Sequence, residues 1–405
     1  MLMKYTKLFV CFILPLLVAC ETDSPEPDNI LKLRPLTYEE ETLLNSSNEF
    51  SFELLRMLDT KNPKENVIFS SFGVGNGIGM AFNIIEEKPK EELKNFLKIS
   101  DVRDIEIHKA YFQLGEILNL IDRDVQFTKA NSLWINYTQE ISSLSSDKIM
   151  AYYDADVEYL NFKNEKSTRT INRWIENRSY GKIDHVVNKI YPDDRSYIIN
   201  AIHFDVQWNL PFNEITLENF EFTNLNGDLR PCNQINLFTG EFMTYQDDNV
   251  TLMDIPLGSK QFYLSIILPN RILDFHKVIQ KLDQKMIDEL LENSIAVDND
   301  IFLPKINIDS EVRLKSLFPQ FGLTGPIEVI ENYYPINNLF ISDFIHKTSI
   351  NIGSESVHDR NKTDAQIIHT TSSNPLIIDR PFIFLVREKY TGAFVFTGKL
   401  VEPTS

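Results

Sequence analysis

Patterns typical of helices and of strands alternate along this chain from about residue 38 to its end, with no low-complexity break and no internal repeat. Such an uninterrupted alternation excludes repeat arrays and indicates one compact unit of mixed structure. Strands dominate near the end, where the apolar runs Phe382–Val386 and Phe394–Leu400 flank a turn-forming segment closed by Gly392 and predict a buried hairpin. The predicted class is therefore α+β.

The N-terminus has the pattern of a targeting segment. Lys4 and Lys7 precede an apolar run from Leu8 to Val18, which is too short to span a bilayer as a helix. The run ends in Leu17-Val18-Ala19-Cys20, which resembles the bacterial lipobox, where the leader is cut before a cysteine whose thiol is then acylated. An ordinary secretory signal in which this cysteine is incidental is the alternative.

These patterns predict how the chain is divided and where it is located. Residues 1–19 would be a lipoprotein signal peptide, residues 20–36 an acidic, proline-bearing tether and residues 37–405 the folded domain. The expected location is the bacterial cell envelope, with lipid-modified Cys20 as the only membrane contact. The acidic residues that follow Cys20 favour display at the cell surface.

The composition excludes several classes of function. With a formal net charge of −18 and no basic patch, the chain would be repelled by nucleic acids and by anionic lipid surfaces. Two of the three cysteines, Cys11 and Cys20, lie in the leader segment, so a disulfide scaffold is excluded, and Cys232 is assigned no role. The seven histidines show neither His-Glu-x-x-His nor Cys-pair spacing, so no metal site and no cofactor are predicted.

Four alternating glycines, Gly73, Gly75, Gly77 and Gly79, lie between a predicted strand and a predicted helix. A dinucleotide-binding loop would need glycine where this chain has Ile78, and no Gly-Lys-Ser/Thr follows, so tight helix packing is the preferred interpretation. The chain also lacks a Gly-x-Ser-x-Gly motif, and none of its many carboxylates can be singled out as a pair. No enzyme is predicted.

A series of short motifs extends in a fixed order over most of the chain. They are Asn66-Val67-Ile68-Phe69-Ser70-Ser71, Ala130-Asn131-Ser132-Leu133-Trp134, Ile171-Asn172-x-Trp174-Ile175 with Gly181-Lys182-Ile183, Ile199-Asn200-Ala201-Ile202-His203-Phe204 with Trp208 and Pro211-Phe212, Leu303-Pro304-Lys305 with Leu314 and Phe321-Gly322-Leu323, Asp379-Arg380-Pro381-Phe382-x-Phe384, and Gly398-Lys399-Leu400-Val401-x-Pro403. Their order and spacing resemble those of the serpin superfamily, the serine protease inhibitor fold. Ser71 and Gly73 depart from the family pattern, which has proline and serine at these positions.

The resemblance implies a single domain of three β-sheets and about nine helices, with an exposed reactive-centre loop near the C-terminus. Inhibitory serpins offer this loop to a protease as a suicide substrate, and the cleaved loop then inserts into the main sheet and carries the acylated protease with it. The region that must open includes Ser70, Asn200 and His346 by resemblance. Such a protein would act as a monomer.

The loop of this chain can be aligned with the family pattern without a gap. The family pattern has a His-Lys pair, a hinge glycine and the proline of Arg-Pro-Phe at fixed spacings. This chain has His346-Lys347, Ser356 and Pro381 at the same spacings. The scissile bond then falls between Thr370 and Thr371, within one or two residues. A threonine there favours serine proteases of the elastase-like or subtilisin-like type, and papain-like cysteine proteases are also open.

The hinge departs from the family pattern, in which Glu-Gly-Thr/Ser-Glu is followed by small residues. Here the hinge residues are Glu355, Ser356, Val357, His358, Asp359, Arg360 and Asn361. If Val357 faces the buried side of the sheet on insertion, Asp359 and Asn361 follow it, and an unpartnered buried aspartate costs several kcal/mol. Trapping efficiency is therefore in doubt. The alternatives are a non-inhibitory serpin that serves as a binding module or a protease substrate, and a surface adhesion or scaffolding unit.

Overall fold

The computed structural model describes residues 33–206, 212–216, 220–232, 234–323, 341–352 and 375–403. Contacts within the chain separate a first unit, Met1–Arg34, from a second, Pro35–Ser405, to which the helices and strands described below belong. The predicted lipidation site Cys20, the hinge Glu355–Asn361 and the bond between Thr370 and Thr371 lie outside the described residues. The predicted boundaries of the signal peptide and the tether stay predictions.

Eight α-helices lie in the described part of the chain. They are α1 (Tyr38–Lys61), α2 (Ser71–Ala81), α3 (Glu87–Phe96), α4 (Asp104–Leu120), α5 (Ser143–Tyr153), α6 (Lys166–Arg178), α7 (Phe275–Lys281) and α8 (Gln284–Glu292). The first of them begins with a capping box, in which the Thr37 hydroxyl accepts from the Glu40 backbone N–H and the Glu40 carboxylate accepts from that of Thr37. None of the helices among the described residues has both the length and the hydrophobicity needed to cross a bilayer.

Sixteen strands are described. They are β1 (Val67–Phe69), β2 (Val125–Asn136), β3 (Ala155–Leu160), β4 (Ser196–Val206), β5 (Phe212–Thr216), β6 (Glu221–Thr223), β7 (Leu229–Pro231), β8 (Gln234–Gln246), β9 (Val250–Leu257), β10 (Phe262–Pro269), β11 (Ile295–Pro304), β12 (Ile306–Arg313), β13 (Ile341–Ile352), β14 (Leu376–Ile377), β15 (Phe382–Glu388) and β16 (Phe394–Leu400).

The strands form three sheets. The main sheet has five strands in the order β12-β13-β4-β2-β3. A nine-stranded sheet has the order β1-β16-β15-β10-β9-β8-β11-β14, with β5 paired to β8, and β6 and β7 form a two-stranded ribbon. The α+β class, the three sheets and the C-terminal hairpin predicted from the sequence are confirmed. About nine helices were expected, and the described residues hold eight α-helices with three short 3₁₀ turns.

The core lies between the two large sheets and under α1 and α2. It includes Phe69 from β1, Phe204 from β4 and Phe396 from β16, all completely buried. The rings of Phe204 and Phe396 pack with their centroids 5.1 Å apart and so join the two sheets directly. A smaller cluster on the opposite face of the main sheet joins it to Ile171 and Ile175 of α6.

Candidate functional site

Two central strands of the main sheet, β4 and β13, run parallel to each other, as do β2 and β3 at its edge. The pairing of β4 with β13 extends from Ile341 opposite Ser196 to Ile352 opposite Val206, whereas β12 pairs antiparallel with β13 and β2 antiparallel with β4. A strand placed between two parallel strands and running against them would make antiparallel bonds with both. The junction of β4 and β13 is therefore able to accept a sixth strand.

The chain leaves the junction at its upper end, which we define as the end at Ile352 and Val206. It is described again from Pro375, and β14 then pairs parallel with β11 in the nine-stranded sheet. The intervening residues 353–374 are more numerous than the 12 residues of β13. A segment of this length can run back along β13 without being detached from it.

A buried hydrogen-bond network crosses the junction at mid-height, where His346 of β13 lies opposite Asn200 of β4. His346 Nε2 accepts from the backbone N–H of Ser70 at 2.9 Å and lies 2.8 Å from Thr348 Oγ1. His346 Nδ1 lies 2.6 Å from Asn200 Oδ1, which is an acceptor, so Nδ1 carries the ring proton. The structure thus brings together the three predicted residues Ser70, Asn200 and His346.

The network continues across the next strand. The side-chain amide of Asn200 donates to Asn131 Oδ1 of β2 at 2.6 Å, and the amide of Asn131 donates to the carbonyl oxygen of Tyr153 at the end of α5, also at 2.6 Å. Three neighbouring strands and a helix are therefore tied together at one level of the sheet. Separating β4 from β13 breaks the contact between Asn200 and His346 but leaves the part from Asn200 to Tyr153 in place.

Burial keeps His346 neutral. The side chain is completely buried, and desolvation lowers its pKa from 6.5 to about 3. Because Nε2 accepts from the Ser70 N–H, protonation of the ring would also place two donors against each other. The closed junction therefore depends on the neutral imidazole.

Helix α2 packs tightly against this network through its glycines. A Cβ atom on Gly73 would lie 2.4 Å from Ile202 Cδ1 and 2.6 Å from Asn200 Oδ1, and one on Gly77 would lie 2.2 Å from the ring of Phe344. The alternating glycines meet the sheet on one side and, through Gly75 and Gly79, the rings of Tyr111 and Tyr153 on the other. The interpretation of these glycines as packing positions is confirmed.

Two side chains of the network, those of Asn131 and Thr348, were not predicted to belong to it. Asn131 lies in the Ala-Asn-x-Leu motif, but its partners depend on a strand register that sequence spacing does not give. Cys232 is buried and takes no part in the network. Among the described residues, no group of three or more His, Cys, Asp or Glu side chains is placed to hold a metal ion.

Comparisons with known proteins agree with this architecture. The family model described as Serpin (serine protease inhibitor) matches residues 45–403. An uncharacterised serpin-like protein of Thermococcus kodakarensis is 24% identical over 375 residues, which cover 90% of this chain and 87% of that protein. Serine protease inhibitor A6 of Xenopus laevis is 24% identical over 389 residues, covering 91% of this chain and 86% of the relative. The crystal structure of human glycosylated kallistatin superposes with a TM-score of 0.79 at 19% identity, covering 91% of this chain and all of that one.

The fold and the closed parallel junction define a protein of the serpin class. Since the family model spans most of the sequence, the chain belongs to the serpin family. The family is one of serine protease inhibitors.

Proposed function

We propose that this protein is a serine-type endopeptidase inhibitor that acts as a suicide substrate through residues 353–374. The observation that carries the proposal is the direct parallel pairing of β4 and β13, which leaves room for one antiparallel strand once they separate. The family membership and the similarity to serine protease inhibitor A6 support it.

In the proposed reaction the protease nucleophile attacks the carbonyl carbon of Thr370. The peptide bond to Thr371 breaks, the new amino terminus leaves with a proton, and an acyl-enzyme ester, or thioester for a cysteine protease, remains on Thr370. The loop up to Thr370 stays attached to β13 and inserts between β13 and β4. The protease is trapped if insertion is faster than hydrolysis of the acyl-enzyme.

Insertion has a local cost and a larger gain. The contact between Asn200 and His346 must break, as must the backbone ladder between β4 and β13. An inserted strand forms ladders on both of its sides, and each additional backbone hydrogen bond contributes about 0.5–1.5 kcal/mol net. The intact protein would therefore be held in its closed state kinetically.

The charged hinge favours a second candidate function. If Asp359 and Asn361 face the apolar side of the sheet, their desolvation slows insertion, and about 1.4 kcal/mol on the barrier slows it tenfold. A protein slowed in this way would be cleaved without trapping the protease. It would then be a non-inhibitory serpin that acts as a binding module or a protease substrate.

We also propose the targets and the location. Threonine at the cleaved position suits elastase-like or subtilisin-like serine proteases, or papain-like cysteine proteases, with small or aliphatic specificity pockets. Acylation of Cys20 would hold the monomer at the bacterial cell envelope, with surface display favoured by the acidic tether.

The test is to incubate residues 21–405 separately with elastase, subtilisin and papain, and to analyse the products on denaturing gels. A band that contains both proteins and survives boiling, with cleavage after Thr370 or a near neighbour, supports trapping. Val357→Arg is the matched control, because a cation forced into the apolar face should abolish the covalent band without affecting cleavage. Complete cleavage by a fully active protease, with no covalent band from the unaltered protein, supports the second candidate.

A further inference from the structure

The outer face of the junction changes character near its upper end. Around mid-height this face is covered by α6, and Ile199, Ala201 and Ile345 lie there in a buried apolar cluster. Above that level it becomes polar, and four neighbouring side chains there form what we call the upper polar patch. They are His203 and Asp205 of β4 and, directly opposite them, Ser349 and Asn351 of β13.

Two members of the patch have buried polar atoms without a partner. His203 is only 5% exposed, and neither of its ring nitrogens has a hydrogen-bond partner among the described residues. Asn351 Oδ1 is buried and unpartnered in the same way. Leaving such groups unsatisfied is costly in a folded protein. Polar atoms that are unsatisfied in the closed sheet are suited to a partner that arrives when the sheet opens.

The sequence of the hinge identifies a partner of suitable chemistry. In a hairpin whose loop ends at Ser356, a loop of either two or four residues places Arg360 on the outer face. Arg360 then lies opposite Asn351 if the loop has two residues and opposite Ser349 if it has four. A three-residue turn would instead direct Arg360 against Phe204 and Ile350, both completely buried, which desolvation of a cation excludes. Both allowed registers bring the guanidinium to the upper polar patch.

The patch offers acceptors where Arg360 has only donors. The Asp205 carboxylate, Asn351 Oδ1 and an imidazole nitrogen of His203 can each accept a hydrogen bond, and a guanidinium has five N–H groups. Asp205 now pairs with Lys182 at 3.6 Å, but the Lys182 side chain is 46% exposed and can turn to solvent without being desolvated. The patch therefore matches an arginine in both charge and hydrogen-bonding capacity.

We propose that the upper polar patch is a positioning site for the side chain of Arg360 during loop insertion, with Asp205 as its charged partner and His203 and Asn351 as further acceptors. The proposal rests on the proposed function, because it requires the loop to insert. It gives the charged hinge a role, since the departure from small residues in the loop is matched by polar groups in the sheet. Arg360 would be among the first side chains to enter, so the contact acts early in insertion.

The test compares thermal unfolding of residues 21–405 before and after loop cleavage, because insertion raises the unfolding temperature. Arg360→Ala and Asp205→Asn should each reduce that rise by about 2–4 °C, and their effects should not add in the double variant. Each should also raise the number of inhibitor molecules cleaved per protease trapped by about fivefold, as expected for a slower insertion step. The exchanged pair Asp205→Arg with Arg360→Asp should recover most of both losses.

Controls separate a positioning role from a structural one. Lys182→Gln removes the ion pair between Lys182 and Asp205 and should leave the rise in unfolding temperature on cleavage unchanged. Arg360→Ala changes no residue of the described sheet, so this variant tests the contact even if Asp205 variants fold poorly. A full rise that neither Arg360→Ala nor Asp205→Asn reduces would overturn this inference alone. Absence of any rise or covalent complex in the unaltered protein would overturn the proposed function, and this inference with it.

Discussion

Two buried histidines on opposite faces of the main sheet should respond in opposite directions to the same substitution. His346 has three hydrogen-bonding neighbours on the inner face, whereas His203 has none on the outer face among the residues that the structure describes. Phenylalanine keeps an aromatic ring of similar shape at either position but removes both nitrogens. The comparison therefore isolates hydrogen bonding from packing.

The expected changes in unfolding free energy follow from the polar groups that each substitution leaves without a hydrogen bond or removes. His346→Phe leaves the Ser70 N–H and Asn200 Oδ1 buried and unsatisfied, and at about 1–3 kcal/mol for each group the loss is about 3 kcal/mol. His203→Phe removes two unpartnered nitrogens and should stabilise the closed protein by about 1–2 kcal/mol. With a denaturant slope of about 3 kcal/mol per molar urea, the urea midpoint should fall by about 1 M for His346→Phe and rise by about 0.5 M for His203→Phe.

The assay is urea unfolding of the intact protein, followed by tryptophan fluorescence and by circular dichroism. His203→Phe should also reduce the rise in unfolding temperature on loop cleavage, since residue 203 would no longer accept a hydrogen bond from Arg360. Equal losses at both positions would refute the reasoning, because packing alone would then explain them. An unchanged midpoint for His346→Phe would refute the importance of the network.

Three further predictions concern the charges and the packing around the core. Burial lowers the pKa of His346 to about 3 and that of His108 to about 4, so below pH 6.5 the unfolded chain binds more protons than the folded one. These two histidines should lower the free energy of unfolding by up to about 2.7 kcal/mol for each unit that the pH drops between 6 and 4.5, as measured from urea midpoints across that range. The buried Lys399 ammonium lies 2.7 Å from the Asp59 carboxylate, so Asp59→Asn leaves it without its counter-ion and should lower the free energy of unfolding by about 3–5 kcal/mol. Combining Asp59→Asn with Lys399→Met should recover most of that loss. Gly73→Ala places a methyl group against the sheet and should lower the unfolding temperature of the closed protein, measured by calorimetry, and an unchanged value would contradict the packing described for α2.

Local sequence patterns were sufficient to predict those elements whose structure is determined by residues close together in the chain. The alternation of helix and strand patterns was predicted to begin at about residue 38, and α1 begins at Tyr38 and ends at Lys61. The C-terminal hairpin was predicted from its turn residues, and Gly392 adopts φ 76°, a left-handed conformation that glycine tolerates. Both elements owe their form to neighbours along the chain.

The site depended on information that local patterns do not contain. His346 and Asn200 are 146 residues apart, and their pairing rests on the register between β13 and β4. The family motifs pointed to Ser70, Asn200 and His346 as one region, but not to Thr348 or to the continuation through Asn131. The burial of His203 also escaped prediction, because its motif position does not tell which face of the sheet it occupies.

The most direct test of the central claim is a crystal structure of the protein cleaved between Thr370 and Thr371. The account predicts a six-stranded main sheet in which the loop runs antiparallel between Ser196–Val206 and Ile341–Ile352, with the contact between Asn200 and His346 broken. A cleaved protein in which these strands still pair directly, with that hydrogen bond intact, would contradict it.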